Sequence, residues 1–247
     1  MLKRAVIKIS GEAISGNGDV FDDLIIDNIA GQLKKLSGIE FALVIGGGNF
    51  WRGRNTKSGQ MLNRAVSDQI GMLGTVMNGL YLAERFNRSG IKSVVMTPFP
   101  VGAFTILFSR EAALDAMRRG QVVINAGGTG YPYFSTDTLA ALRAAELDAD
   151  CIFYAKNIDG VYTADPRDNP NALKYRRVSY QTIIERQLSA ADIAGMIISQ
   201  EAGTDSFLFG LNKEDSITCA CNSAAGCGGD SLSGTMISVS CEEEFYV

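Results

Sequence analysis

The sequence predicts an α/β fold with a largely parallel central sheet. Two observations predict it: short apolar runs rich in β-branched residues alternate with stretches of helical periodicity, and several of these runs end in glycine-rich turns. Nearly continuous apolar runs are typical of strands that helices cover on both faces. With 46% hydrophobic and 20% charged residues, the chain of 247 residues can bury a sizeable core. We expect one domain over residues 1–247, without internal repeats.

Seven apolar runs are predicted strands. In chain order they are residues 5–9, 41–45, 92–96, 121–125, 151–154, 206–209 and 235–239. Helical periodicity predicts helices at residues 22–36, 67–88, 109–119, 136–147, 180–187 and 190–201. Glycine stop signals follow the first three of these helices, at Gly38, Gly90 and Gly120. Residues 218–234 are small, polar and glycine-rich, which predicts a mobile loop, and we expect the acidic tail 241–247 to fray.

The chain contains no histidine, which excludes Ser-His-Asp and Cys-His nucleophile pairs, histidine metal ligands and an imidazole base. The net charge of −4 argues against a nucleic-acid partner, because duplex binders normally present a basic patch. No apolar run approaches the roughly 18 to 20 residues of a membrane helix. The N-terminal region lacks the continuous apolar core of a signal peptide, since Lys8 interrupts it. We therefore expect a cytoplasmic protein without a membrane partner.

Five cysteines, four of them near the C-terminus, do not suggest the disulfide framework of a secreted protein. Cys219, Cys221 and Cys227 are a weak candidate metal site, because their spacing is not Cys-x-x-Cys and no histidine can complete the set. The competing interpretation is free thiols in a flexible cytosolic loop.

Three glycine-rich turns follow predicted strands, at Ser10-Gly11, at residues 46–48 and at residues 127–130. In parallel sheets, ligands gather at the carboxyl ends of the strands, and glycine lets backbone N–H groups approach a phosphate. Three such turns indicate an anion-rich ligand, such as two phosphorylated molecules facing each other. For any single turn, a tight strand-to-helix connection explains the glycine equally well. Neither a P-loop nor the dinucleotide G-x-G-x-x-G pattern is present.

Lys8 lies in an apolar strand just before the first turn, where an ammonium group can neutralise a phosphoryl group in transfer. A solvent-facing lysine on an edge strand is the alternative. Asp137 begins a predicted helix, so an acid favoured by the helix dipole is the alternative to a site role. Asp159 and Asp165 also fit simple turn chemistry.

Ordered blocks of residues run through the chain from about residue 3 to residue 213. They are Lys8-Ile-Ser-Gly-Glu-Ala13, Val44-Ile-Gly-Gly-Gly-Asn49, Trp51-Arg-Gly53, Ser67 to Leu73, Thr75-Val-Met-Asn78, Ala126 to Gly130, Pro132 to Thr138, Ala140 to Glu146, Asp159-Gly-Val-Tyr162, Ala164-Asp-Pro166 and, more faintly, Leu211-Asn-Lys213 and Gly234 to Ile237. In these blocks the chain resembles the bacterial uridylate kinases of the amino acid kinase superfamily. The resemblance implies a three-layer α/β/α sandwich with a nucleoside-monophosphate lobe of roughly residues 1–150 and an ATP lobe of roughly residues 151–240. It also implies ATP-dependent phosphorylation of UMP to UDP, in pyrimidine nucleotide biosynthesis.

The same resemblance assigns residues to roles. The catalytic residues would be Lys8, Arg52 and Asp137, with Asp137 orienting lysines around the transferring group. ATP would meet Lys8, Ile9, Ser10, Gly11, Gly48, Arg52, Lys156, Asn157, Tyr162 and Asp165. UMP would meet Gly47, Asp68, Thr129, Gly130, Tyr131, Pro132, Tyr133, Phe134, Ser135 and Thr136. Magnesium would be carried by the nucleotide rather than by protein ligands. Because the acceptor is a phosphate oxygen that needs no base near neutral pH, we expect direct in-line transfer without a phosphoenzyme.

The chain departs from the family at several places. Tyr154-Ala-Lys-Asn157 stands where relatives often have Lys-Ala-Thr-Lys, so the lysine that supplies the second cation stays open, with Lys156 as the candidate. Residues 99–108 differ from the usual stretch, and the Cys- and Gly-rich segment 218–234 replaces a short Lys/Pro segment near the adenine. Relatives suggest a homohexamer with GTP and UTP as effectors. The apolar helix around residues 72–80 is a possible interface or an ordinary core helix.

Two other interpretations stay open. One is a different enzyme of the superfamily, namely an aspartate, glutamate, acetylglutamate or carbamate kinase. The other is a non-catalytic protein that binds nucleotides or oxoanions on the same scaffold. The loop at residues 130–137, together with Asp68, favours a nucleotide acceptor. Lys8, Arg52 and Asp137 favour catalysis, and the missing histidine argues against an oxoanion store.

Overall fold

A computed structural model describes residues 2–16, 18–53, 59, 61–211, 214–226 and 234–246. The strands are β1 (Arg4–Ile9), β2 (Glu40–Ile45), β3 (Ser93–Thr97), β4 (Ile106–Leu107), β5 (Val122–Asn125), β6 (Cys151–Lys156), β7 (Tyr175–Ser179), β8 (Asp205–Gly210), β9 (Thr235–Ser238) and β10 (Glu244–Phe245). The α-helices are α1 (Asp23–Lys35), α2 (Arg64–Arg88), α3 (Arg110–Arg118), α4 (Thr136–Glu146), α5 (Tyr180–Arg186), α6 (Ile193–Ala202) and α7 (Ser216–Ala224). A 3₁₀ turn, Gly11–Ile14, follows β1.

The strands form one sheet in the order β10-β7-β9-β8-β6-β1-β2-β5-β3-β4. Every pairing from β8 through β6, β1, β2, β5 and β3 to β4 is parallel. Beyond β8 the sheet also contains antiparallel pairings: β9 pairs antiparallel with β8, and β10 pairs antiparallel with β7. β1 lies in the middle, with β2 on one side and β6 on the other. The carboxyl ends of these three strands therefore lie side by side, which is where ligands bind in open α/β sheets.

Helices cover both faces of the sheet. On one face, Ile7, Leu43 and Phe153 pack with buried residues of α1 and α2, such as Ile29 and Phe86. On the opposite face, a second core joins strand residues to α3, α4, α5 and α6; it includes Val6, Val44, Ile152, Ala140 and Met196. The expected three-layer α/β/α sandwich is confirmed. The proposed division into two lobes stays a prediction.

The prediction of a mobile loop over residues 218–234 is wrong in its first part, because Ser216–Ala224 is the helix α7. Its first turn is stabilised from elsewhere in the chain. The buried side chain of Gln32, on α1, accepts hydrogen bonds from Ile217 N–H at 2.6 Å and Thr218 N–H at 3.2 Å. A partner 185 residues away leaves no local signature in the sequence. Residues 227–233 of the predicted loop lie outside the described residues.

The expectation that the C-terminal tail frays is also wrong for Glu244 and Phe245, which pair with β7 as β10. The sequence pattern also misses β4 and β7. β7 carries the exposed pair Arg176-Arg177, so it lacks an apolar run that would predict a strand. Its backbone hydrogen bonds to β9 and β10 make it a strand. Over the described ranges, none of the helices is both long and apolar enough to cross a membrane.

Candidate active site

Two lysines from neighbouring strands converge on one carboxylate. Lys8 Nζ, on β1, lies 2.9 Å from Asp137 Oδ1, and Lys156 Nζ, at the end of β6, lies 2.8 Å from Asp137 Oδ2. Lys8 and Asp137 are buried, and Lys156 is mostly buried. Three charged groups held this close, with little water, form a preorganised electrostatic centre. We call Lys8, Asp137 and Lys156 the charged triad.

The positions of the charged triad follow from strand register and a helix cap. Lys8 pairs directly with Tyr154, and Lys156 comes two residues later on the same strand, so all three side chains point to the same face of the sheet. Helix α4 covers that face. Ser135 caps α4 by accepting hydrogen bonds from the N–H groups of Asp137 and Thr138, which places Asp137 in the first turn. The acid thus points from the helix start toward the two lysines.

Asp137 is ionised at neutral pH. Burial alone raises the pKa of a carboxyl group, but the charges and hydrogen bonds of Lys8 and Lys156 outweigh that effect and hold the pKa of Asp137 well below its usual range. A carboxylate of this kind neither stores a proton nor donates one. Its available role is to hold two ammonium groups in place.

The glycine turns beside the charged triad pack backbone against backbone. A Cβ atom at Gly11 would lie 2.8 Å from both Gly46 O and Gly48 N, and one at Gly47 would lie 2.6 Å from Gly71 O of α2. Such separations exclude any side chain at Gly11 and Gly47 unless the backbone moves. Tight packing therefore accounts for the glycines at these two positions.

Helix α2 fixes two of the three glycine turns. Asn78, fully buried, donates to Gly46 O at 2.6 Å and exchanges hydrogen bonds with Asn49. Three residues earlier, Thr75 Oγ1 accepts a hydrogen bond of 2.6 Å from Gly127 N–H. The block Thr75-Val-Met-Asn78 thus ties the turn after β2 and the turn after β5 to one rigid element.

A cavity of about 440 Å³ opens between these turns, and we call it the α2 cavity. Its lining includes Glu12, Gly47, Gly48, Trp51, Arg52, Gly53, Ser67, Asp68, Gly71, Met72, Thr75, Gly128, Phe134, Ser135 and Thr136. Thr136, in this lining, is the neighbour of Asp137 of the charged triad in the chain.

A second cavity, of about 670 Å³, lies beyond the end of β6, and we call it the β6 cavity. It is lined by Asn157, Ile158, Asp159, Tyr162, Thr163, Ala164, Asp165, Pro166, Arg167 and residues 186–189. Asn157 is the neighbour of Lys156. Chain neighbours of the charged triad thus line both cavities, Thr136 beside Asp137 in one and Asn157 beside Lys156 in the other.

Polar side chains order the wall of the β6 cavity. Asp159 accepts hydrogen bonds from Lys174 Nζ and Tyr162 Oη, each at 2.8 Å. Burial and the hydrogen bond to Asp159 together raise the pKa of Tyr162 to about 12. Asp165 accepts from both the backbone and the guanidinium of Arg167, which lowers the pKa of that carboxyl to about 2. Asp165 thus stabilises a turn, as considered from the sequence, and this turn lies on the wall of the β6 cavity.

The structure brings together many of the residues that the sequence proposes for binding. Among the UMP-binding candidates, Gly47, Asp68, Phe134, Ser135 and Thr136 line the α2 cavity. Among the ATP-binding candidates, Asn157, Tyr162 and Asp165 line the β6 cavity. Gly48 and Arg52, expected on the ATP side, line the α2 cavity instead.

Other proposed residues are placed differently. The other five UMP-binding candidates are not part of the described lining of the α2 cavity; they are Thr129, Gly130, Tyr131, Pro132 and Tyr133. Ile9 buries its side chain in the core, which leaves only its backbone for a ligand. Ser10 and Gly11 form the turn directly after Lys8. Asn212 and Lys213, part of a faint block of the resemblance, lie outside the described residues.

Arg52 is oriented by a residue that the sequence reading did not select. Its Nε lies 2.9 Å from Glu12 Oε1 and donates to Gly48 O at 3.2 Å. Ser67, Met72 and Thr75 were not selected as site residues either. Their spacing from Asp68 and Gly71 places them on one face of α2, a helical pattern that could have identified them. Residues 186–189 of the β6 cavity carry no comparable signal.

The cysteine-based metal site gains no support from the side chains that can be placed. Within the described ranges, no group of three His, Cys, Asp or Glu residues is arranged to hold a metal ion. Cys227 lies outside those ranges. Cys221 is buried, which raises the pKa of its thiol to about 12. A protonated buried thiol is a poor metal ligand.

Comparison with known proteins supplies the family. The sequence profile of the amino acid kinase family matches residues 3–204. A uridylate kinase of Serratia proteamaculans (strain 568) is 38% identical over 214 residues, which cover 85% of this chain and 88% of that protein. The crystal structure of UMP kinase from Ureaplasma parvum has a TM-score of 0.88 at 32% identity, covering 96% of this chain and 99% of the other. UMP kinase from Bacillus anthracis has a TM-score of 0.89 at 29% identity, covering 100% and 99%. The resemblance seen in the sequence is confirmed: the chain belongs to the amino acid kinase family, within its group of uridylate kinases.

Proposed function

We propose that this chain transfers the γ-phosphoryl group of ATP to UMP and releases UDP and ADP. The observation that carries the proposal is the charged triad, whose chain neighbours line two cavities, in a chain that is similar to uridylate kinases over most of its length. Two phosphorylated substrates facing each other need such a centre between them. In this arrangement the α2 cavity takes UMP and the β6 cavity takes the nucleoside of ATP.

The reaction needs positioning and charge neutralisation more than it needs a base. The attacking oxygen of the UMP phosphate carries no proton that must be removed near neutral pH. Negative charge spreads over the transferring group, and Lys8 and Lys156 lie where they can neutralise it. Asp137 keeps both ammonium groups fixed, and its lowered pKa suits that role because the carboxylate stays ionised. Transfer is direct and in line, without a phosphoenzyme.

Arg52 and the glycine turns complete the phosphate-binding surface. Glu12 and Gly48 O, among the described residues, engage Arg52 at Nε, and we expect the terminal nitrogens of its guanidinium to contact a phosphate. The backbone N–H groups of Ser10, Gly11, Gly47 and Gly48 are the further groups that we expect to contact the phosphates. Asp68, on the wall of the α2 cavity, is placed to accept a hydrogen bond from the ribose of UMP.

Magnesium would be held mainly by the phosphates of ATP. The carboxylate of the charged triad and those that line the α2 cavity are already engaged: Asp137 by two lysines, Glu12 by Arg52 and Asp68 by the N–H of Tyr133. Mg²⁺ commonly keeps water and substrate phosphates as ligands, which fits a site without a dedicated protein cage. When bound, the ion supplies positive charge to the phosphates.

We also propose a homo-oligomer, with a homohexamer as the specific expectation. Val66, Ile70, Leu73 and Met77 form a stripe on one side of α2, and each is 37–53% exposed, while Met72 and Val76 on the same helix are buried. A continuous apolar stripe on an otherwise polar surface is typical of a protein interface. A cytoplasmic location, the absence of nucleic-acid and membrane partners, and GTP or UTP as effectors are further proposals.

An ADP-release assay with ATP and a panel of acceptors tests the proposed function. The panel contains UMP, CMP, dUMP, aspartate, glutamate and carbamate. We expect turnover with UMP, and Lys8→Met should lower kcat by a factor of about 100 to 1000, the scale for losing one preorganised charge in a transition state. Turnover with aspartate, glutamate or carbamate but not with UMP would select the alternative kinases. No turnover with any acceptor would favour a binding protein.

A further inference from the structure

The loop that carries the UMP-binding candidates has an unusual backbone at Tyr133. Its φ is +74°, in the left-handed region that a bulky aromatic residue rarely adopts. Other described non-glycine residues with positive φ are Asp148, Gln187 and Asp215. Aspartate is common in that region, whereas tyrosine is not. A conformation of this kind persists only where the surroundings enforce it.

Two residues of α2 enforce it. Asp68 Oδ2 accepts a hydrogen bond of 2.8 Å from Tyr133 N–H. The guanidinium carbon of Arg64 lies 4.3 Å from the centre of the Tyr133 ring, within cation–π range. Arg64 Nε also lies 3.7 Å from Asp68 Oδ2, four residues further along the helix. Arg64, Asp68 and Tyr133 thus make a closed triangle, in which each member contacts the other two.

The triangle acts at a sensitive point of the chain. Phe134, Ser135 and Thr136, the three residues after Tyr133, line the α2 cavity, and Asp137 follows them. A change of φ at Tyr133 would change the path of the backbone after it, as far as Ser135, where the helix cap fixes the start of α4. Relaxation of Tyr133 to an ordinary negative φ would therefore displace Phe134 first.

We propose that Arg64 is a positioning residue for the acceptor loop. It holds the ring of Tyr133 from one side and the carboxylate of Asp68 from the other, and so keeps Phe134–Thr136 in place to bind the nucleoside monophosphate. This inference rests on the proposed function in naming the acceptor. Its structural part, the control of the loop by Arg64, does not depend on the reaction.

Hydrogen–deuterium exchange without nucleotides tests the structural part. The wild type is compared with Arg64→Ala and with Arg88→Ala as a matched control. Arg88 lies on the same helix and also pairs with an acid four residues away, Glu84, but it lies at the far end of α2. We expect exchange in a peptide covering residues 131–135 to become at least about three times faster in Arg64→Ala and to stay unchanged in Arg88→Ala, given the strength of an exposed cation–π contact. Unchanged exchange in Arg64→Ala would overturn the inference, whatever the enzyme turns over.

Steady-state kinetics test the functional part. In Arg64→Ala we expect the KM for UMP to rise about three- to fivefold while kcat and the KM for ATP stay close to wild type, because the loop contacts one substrate only. Arg64→Lys keeps a cation without the flat guanidinium and should recover part of the loss. Faster exchange with an unchanged KM for UMP in an active enzyme would overturn the role in acceptor binding. If the wild type does not use UMP, the proposed function fails and the exchange measurement still decides the loop contact.

A second pair of variants separates strain from simple loss of contact. Glycine adopts positive φ without cost, so a Tyr133→Gly chain no longer needs to be held. Within that background, Arg64→Ala should change loop exchange and the KM for UMP by less than about 1.5-fold, since the cation–π partner is gone as well. An effect as large as in the wild-type background would show that Arg64 acts on something other than Tyr133, and would overturn the inference.

Discussion

Lys156 reaches Asp137 from the end of β6, two residues after Tyr154. The resemblance to uridylate kinases sets Tyr154-Ala-Lys-Asn157 against a Lys-Ala-Thr-Lys stretch, in which the first lysine would correspond to Tyr154. Side chains two residues apart on a strand share a face of the sheet. A lysine at 156 therefore points to the same side as one at 154 would, and its Nζ lies 2.8 Å from Asp137 Oδ2.

We expect Lys156→Met to lower kcat with UMP by a factor of about 100, comparable to Lys8→Met, because both ammonium groups are proposed to neutralise the same transferring group. Lys35→Met is the control, since Lys35 also pairs with a carboxylate, Asp215, but on the exposed surface. Steady-state kinetics of the three variants provide the measurement. Near-normal turnover of Lys156→Met would mean that a residue other than Lys156 provides the second positive charge.

The lowered pKa of Asp137 has a consequence for stability. The ordinary pKa of this carboxyl is 3.8, and the folded value lies below it. The carboxylate thus adds stability at pH values above 3.8, and this contribution disappears as the pH falls toward the folded pKa. Asp137→Asn removes the charge while preserving shape, and leaves two lysines without their partner.

At pH 6 we expect Asp137→Asn to lower the free energy of unfolding by about 1–3 kcal/mol, less than for a fully buried pair because Lys156 is partly exposed. The difference between wild type and variant should shrink as the pH falls below 3.8 toward the folded pKa. Urea unfolding at several pH values measures it. A difference that stays constant or grows on acidification would contradict the assignment of a lowered pKa to Asp137.

At the scale of elements, α2 connects fold and site. It buries Asn78 against the turn after β2 and Thr75 against the turn after β5.

Thr75→Val keeps the shape but leaves the buried N–H of Gly127 without an acceptor, which typically costs about 1–3 kcal/mol. We expect that loss in unfolding experiments, together with a higher KM for UMP and an unchanged KM for ATP. Ser93→Ala, which removes a hydroxyl bonded to Ala83 O near the far end of α2, should leave both KM values unchanged.

Elements with a strong local sequence signal were predictable, and elements that depend on one particular distant partner were not. The strands β1, β2 and β6 are mostly apolar and are buried except at one end, so the sequence alone identifies them as covered strands. Helix α7 depends on Gln32 of α1, and β7 depends on strands near the C-terminus. The same distinction holds in the site: Lys8 and Asp137 stand out in the sequence, whereas Glu12 and Arg64 matter through side chains they contact only in the fold.

At the scale of the whole molecule, the apolar stripe on α2 remains to be explained. Val66, Ile70, Leu73 and Met77 follow one another at intervals of four, three and four residues, so they share one side of the helix. The opposite side of α2 already packs on the sheet through Val76, Leu82 and Phe86. The helix is therefore apolar on two sides, and one of them lacks a described partner within the chain. Self-association is the simplest way to remove that surface from water.

Because α2 also holds the glycine turns after β2 and β5, an interface on its outer side would help to fix the geometry of the site. We expect light scattering to give the wild type a mass several times that of one chain, and Leu73→Asp to lower it, since a carboxylate buried in an apolar interface costs several kcal/mol. Leu24→Asp is the control, because Leu24 on α1 is 82% exposed and lies outside the stripe. A monomeric wild type, or a Leu73→Asp variant of unchanged mass, would contradict assembly through α2. If Leu73→Asp yields a smaller species that keeps its activity, the site is complete within one chain; if activity falls together with mass, the interface supports the turns that bind phosphate.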